Sequence, residues 1–161
     1  MVSLQVGKKG ACNVSAETQL GTVVLFEASE DTVAMMQALL TEAGASQSLL
    51  RCPLADLKRG ITDFQKYLDQ HNPEVVIVDL SPPYDENWAF FTAVRDAAAM
   101  KGRGIVLTTT SKRRLDEAIG EDSHAFEVVG ANLDRALILE EIKVATLLAR
   151  IARRQASDRG L

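Results

Sequence analysis

The chain has 161 residues, 47% of them hydrophobic and 25% charged, with a net charge of −4. Length and composition are those of one globular domain without a second independent core, far from the low-hydrophobicity, high-charge range of disordered chains. The acidic balance argues against a nucleic-acid surface, which needs clustered Lys and Arg, and the one basic run (Arg150, Arg153, Arg154, Arg159) suits the C-terminal pole of a helix.

Residues 1–21 contain Gly7, Gly10 and Gly21 and no sustained apolar periodicity, so they are expected to form a flexible arm or leader outside the core. The folded domain is expected over 22–154 and a flexible tail over 155–161. No segment reaches the roughly 18 continuous apolar residues of a spanning helix, and no long apolar leader run is present, so the expected location is cytoplasmic, with no membrane partner. Cys12 and Cys52 lack C-x-x-C spacing and suggest neither a disulfide nor a zinc site.

In chain order, Thr22–Phe26 is an apolar run of the kind buried on both faces of a parallel sheet. Ser29 with Glu30 and Asp31 signals a helix start, and Val33, Met36, Leu39 and Leu40 carry that helix to about Ala43, before Gly44. A weaker strand is predicted over Ser48–Cys52, and a helix over Ile61–His71 with Ile61, Phe64 and Leu68 on one stripe. Glu74–Leu80 is the clearest buried strand, halted by Ser81-Pro82-Pro83. A helix over Asn87 to about Met100, a loop over Lys101–Gly104, a strand over Ile105–Thr109 and a short helix over Lys112–Ile119 follow. Phe126–Val129 and a long helix from Leu133 to about Arg154 close the chain.

Strands alternating with helices require crossover connections, which predicts a doubly wound α/β domain: a five-stranded parallel sheet of order 2-1-3-4-5 with helices on both faces. In such sheets chemistry sits at the carboxyl ends of the strands, near the switch between the first and third. That draws attention to Glu27–Asp31, Asp79–Pro83, Thr108–Ser111 and Val129–Asn132.

Asp79 ends the third strand facing the crevice, with Glu27, Glu30 and Asp31 just beyond the neighbouring first strand. Converging carboxylates repel one another, and a hard divalent cation with oxygen ligands, Mg²⁺, relieves that repulsion. Asp31 equally suits the acidic first turn of its helix, and Ser111 or Thr110 suits a helix cap. Thr108 is the hydroxyl placed to hydrogen-bond a phosphoryl oxygen on the adjacent strand. Tyr84 and Trp88 read as residues shielding a loop beside the crevice, and the isolated His71 and His124 support no hydrolase or metal site.

Over about residues 22–151 the chain resembles the CheY-like receiver domains of response regulators: Asp79-Leu-Ser-Pro-Pro83 matches their third-strand motif and Val106-Leu-Thr108 their fourth. The resemblance implies Asp79 as phosphoacceptor and Thr108 as the sensor of the phosphoryl group. It also implies Mg²⁺ held by Asp79, Glu27 and the Ser81 backbone carbonyl, with Glu30 as a substitute ligand. The implied partners are a sensor histidine kinase or phosphotransfer protein and a downstream signalling protein.

The chain departs from the family at two points. Glu27-Ala28 stands where the family has two adjacent acids. Counting back from Asp134, Ala131 and Asn132 stand where the family has Lys-Pro, and the other register puts Val129 at the lysine. Lys112 is the nearest lysine in sequence to that site. The lysine ordinarily pairs with the aspartate and reads its phosphorylation.

The expected function is therefore a stand-alone, atypical receiver acting through protein–protein contact, not an enzyme beyond accepting a phosphoryl group on Asp79. An alternative is a pseudo-receiver that carries no phosphate and binds constitutively. A flavodoxin-like cofactor binder is a third reading, opposed by the acids at Glu27–Asp31, where a phosphate cradle would stand. On the closing helix Leu137, Val144, Leu147, Leu148 and Ile151 extend an apolar face with Ile138, Ile142 and Ala145, wider than sheet packing needs, which predicts a homodimer through that helix.

Overall fold

Val23–Glu27 (β1) and Val75–Asp79 (β3) are the two strands buried most completely, and their alternation splits the molecule into two layers. The computed structural model of the protein describes residues 19–130 and 134–160. Residues 1–18 of the arm expected over 1–21, with Cys12, and the positions Ala131, Asn132 and Leu133 lie outside the described residues.

Five parallel strands pair in the order β2-β1-β3-β4-β5, the order expected, where β2 is Leu49–Pro53, β4 Gly104–Thr109 and β5 Phe126–Glu127. This is the arrangement of flavodoxin-like α/β folds. Side chains alternate across a strand, so Val23, Leu25, Val75 and Ile77 pack on one face with helices α1 (Glu30–Glu42) and α6 (Arg135–Asp158). Val24, Phe26, Val76 and Val78 pack on the other, with α2 (Leu54–Lys58), α3 (Phe64–His71), α4 (Tyr84–Val94) and α5 (Lys112–Ile119). Val106 shares the α1/α6 face, so by the same alternation Thr108 does too, as does Asp79 following Ile77.

The helix starts follow capping chemistry. Ser29 accepts from the Asp31 N–H, Asp63 from Lys66, Ser111 from Arg114 and Asp134 from Leu137. Ser111 is thus the cap that the sequence suggested.

Several boundaries differ from expectation. Leu54–Lys58 is an unforeseen helical turn, and Arg59 and Gly60 end it, Gly60 at φ 72°. The next helix therefore begins at Phe64 on its Asp63 cap, which leaves Ile61 in the connection, 68% exposed rather than on the core stripe. The helix expected from Asn87 begins at Tyr84, directly after Pro83, and gives way after Val94 to a short 3₁₀ turn, Ala98–Met100. β5 pairs only through Phe126 and Glu127, against Thr108 and Thr109, and α6 runs on to Asp158, four residues beyond Arg154. Among the described residues no helix is long and apolar enough to cross a membrane.

Candidate functional site

Asp79 is the last residue of β3, in register with Thr108 of β4, and its side chain is fully buried. Both carboxylate oxygens are occupied. The Ser81 hydroxyl donates to Oδ1 at 2.6 Å and the Ala28 N–H donates to Oδ2 at 3.1 Å. Ser81 is held in turn, because its Oγ accepts the Thr110 N–H at 3.0 Å. Burial pushes the Asp79 carboxyl above the ordinary aspartate value, and the Ser81, Thr32 and Ala28 donors oppose that shift.

Two further hydroxyls stand on this face. Thr32 on α1 is close enough to favour the ionised carboxylate, although its Oγ1 makes no hydrogen bond of regular geometry. Thr108 Oγ1 is likewise buried without a hydrogen-bond partner. The structure therefore sets Asp79 and Thr108 side by side, as the sequence suggested, and brings in Ser81 through its hydroxyl rather than the carbonyl that was expected to take part. Thr32 is an addition that no motif marked.

The acids after β1 turn elsewhere. Glu27 forms a two-pronged ion pair with Arg51 of β2, Oε2 to Nε at 2.9 Å and Oε1 to Nη2 at 3.1 Å. Glu30, largely exposed, lies 3.6 Å from the same guanidinium. The Ser81 carbonyl accepts the Asn87 amide at 2.6 Å, and among the described residues no cluster of three His, Cys, Asp or Glu side chains could hold a metal. A divalent cation needs several oxygens aimed at one point. Here Glu27 and Glu30 face a guanidinium, the Ser81 carbonyl faces an amide and Asp79 is capped from within, so this arrangement does not fit Mg²⁺.

Lys112 does not reach back toward Asp79. Its ammonium bridges Asp116 and Asp122, each at 2.7 Å, which holds both carboxyls below the usual range and raises the lysine despite its burial cost. Ala131 and Asn132, the expected lysine and proline positions, lie outside the described residues. Val129, the position in the other register, is exposed.

A different lysine enters from the opposite edge. Lys58, at the end of α2, donates to Asn87 Oδ1 at 2.7 Å, and Asn87, 1% exposed, passes the connection to Ser81. The chain Lys58–Asn87–Ser81–Asp79 thus links a surface cation to the buried acid. It borders an open crevice of about 360 Å³ between the β1 and β3 loops, lined by Glu27, Glu30, Lys58, Pro82, Pro83 and Asn87. Asp79 is screened from that crevice. Trp88 packs its ring on Phe91 at 5.7 Å, and Tyr84 packs against the same apolar cluster, so neither lines the crevice.

No family model, curated protein or solved structure matches the chain.

Proposed function

We propose that the protein is a receiver-like signalling module that works through protein–protein contact with Asp79 unmodified. The observation that carries this reading is the occupancy of Asp79. Its carboxylate is buried, with an in-chain donor on each oxygen, so it acts as a structural tie between β3, the β1 loop and the β4 loop. A nucleophile must instead present an oxygen to its electrophile at near-contact distance. The downstream signalling protein would read the surface around this end of the sheet, including the Lys58 crevice.

The second reading, a phosphoacceptor, has one observation in its favour. The Thr108 and Thr32 hydroxyls are buried without partners beside Asp79, and either could donate to a phosphoryl oxygen. In that reading an Asp79 oxygen attacks the phosphorus of a phosphohistidine on a sensor kinase or phosphotransfer protein. The new O–P bond forms as the P–N bond breaks, and the released imidazole takes up a proton.

Intact mass after incubation with acetyl phosphate and Mg²⁺ separates the two. The expected result is an unchanged mass for the folded protein. A gain of one phosphoryl group that disappears in Asp79→Asn would replace the first reading with the second.

A further inference from the structure

Five of the seven large hydrophobic side chains exposed among the described residues lie on one helix, α6: Leu137, Val144, Leu147, Leu148 and Ile151. The opposite side of that helix, Ile138, Ile142, Ala145 and Ala149, is buried on the sheet. At 100° per residue Leu137, Val144, Leu148 and Ile151 fall within an arc of about 60°, with Leu147 about 40° beyond it. Single exposed apolar residues are ordinary, whereas a continuous stripe along one helix marks an interaction surface.

The stripe continues into a groove. β5 pairs with β4 only at Thr108 and Thr109, so the stretch from Gly104 to Leu107 is paired with no strand on that edge among the described residues. Between its beginning and α6 lies a depression of about 390 Å³, whose walls include Ile105, Val144, Ala145 and Leu148. It has the size of a receptacle for apolar side chains arriving from outside.

Charge on the helix selects the occupant. Glu140 and Glu141 stand in the N-terminal half of α6, where the exposed Glu140 also pairs with Lys143 at 3.0 Å, and the exposed Arg154 stands in the C-terminal half. The surface is self-complementary when turned end to end. We propose that a second copy of the chain docks here, the two α6 helices running antiparallel about a two-fold axis close to Leu147. Glu140 of each copy then faces Arg154 of the other, and the apolar stripes close over each other and over both grooves. Parallel docking would instead set Glu140 against Glu140 and Arg154 against Arg154.

The 24 residues of α6 make a helix about 36 Å long. Its apolar strip offers on the order of 400 Å² per copy, about half that of a standard interface and in the range of weak, transient contacts. The dimer is accordingly reversible and concentration-dependent. This inference is independent of the state of Asp79.

Sedimentation velocity of the full chain, from about 1 to 500 µM, tests it across the range where such small interfaces dissociate. The expected result is a shift from one-chain to two-chain mass with rising concentration. Leu148→Glu, at a position 59% exposed, is expected to remain folded by circular dichroism and to stay monomeric. Glu140→Arg and Arg154→Glu are each expected to weaken the dimer roughly tenfold, and the double reversal to restore it. A single-chain mass throughout overturns the proposal, including the case where hydrogen exchange finds the α6 face covered by the chain's own terminal segment. A dimer indifferent to Leu148→Glu overturns the assigned face, and a dimer indifferent to the charge reversals overturns the antiparallel docking.

Discussion

Ser81 Oγ donates to Asp79 Oδ1 across 2.6 Å while accepting the Thr110 N–H at 3.0 Å, so one buried hydroxyl ties the end of β3 to the loop after β4. Ser81→Ala removes both bonds and takes a hydroxyl donor from the buried carboxylate and an acceptor from the part-buried Thr110 amide. Stranding buried polar groups costs about 1–3 kcal/mol, and Ser81→Ala is expected to lower unfolding stability by about 2 kcal/mol in urea titrations. Ser81→Thr keeps the hydroxyl and should recover part of the loss.

The same bond network sets a pH dependence. Burial raises the Asp79 carboxyl above its ordinary value, against the hydrogen bonds that favour the anion, so the folded state prefers the proton more than the unfolded chain does. The contribution of Asp79 to stability is therefore fully present below the ordinary aspartate pKa of about 3.9 and is lost as pH rises through the raised value. Asp79→Asn cannot titrate. The stability of the wild type minus that of Asp79→Asn should fall as pH rises through that window and level off above it. A difference that grows with pH would mean that the donors outweigh burial and that the carboxyl is depressed.

Asn87 carries a third prediction. Its amide donates to the Ser81 carbonyl and its oxygen accepts from Lys58, all but sealed from solvent. Asn87→Ala is expected to cost about 2–3 kcal/mol through the stranded carbonyl and the space left behind. Lys58 is partly exposed and also lies 3.6 Å from the exposed Glu86, so Lys58→Ala should cost less than about 1 kcal/mol. In the Asn87→Ala background the lysine substitution should cost still less, and full additivity of the two would show that the pair is not coupled.

The layout of the sheet was legible because buried parallel strands write themselves as short apolar runs. Val75–Asp79 and Val23–Glu27 needed no tertiary information to recognise, and Asp79, Ser81 and Thr108 followed from the strand ends. What the sequence could not reveal was where the charged side chains point. Glu27 sits where a crevice acid was expected, but Arg51, in the neighbouring strand and 24 residues away, takes its carboxylate. Lys58 belongs to a one-turn helix too short for periodicity to reveal, and Asn87 looked like the start of a helix that begins at Tyr84. Thr32 was hidden among helix residues because its relation to Asp79 spans two elements.

The fit between α6 and the sheet depends on a missing side chain. Gly104 opens β4 beneath α6, and a Cβ placed there would come within 2.6 Å of the Ala145 carbonyl oxygen and 2.7 Å of the Ala145 Cβ. Neither neighbour can rotate away, since one is helix backbone and the other is fixed to it. Gly104→Ala must therefore push α6 off the strand, and overpacking of this kind costs about 1–3 kcal/mol. The displacement falls at Ala145, between Val144 and Leu148, so it also deforms the groove where the second copy is proposed to seat. Gly104→Ala is expected to lower stability in urea titrations and, while still folded, to weaken self-association in sedimentation velocity. Ala145→Gly removes one of the three close atoms of Ala145 and should return part of the lost stability in the double variant. An unchanged Gly104→Ala would mean that α6 rides on the sheet loosely enough to absorb a methyl group.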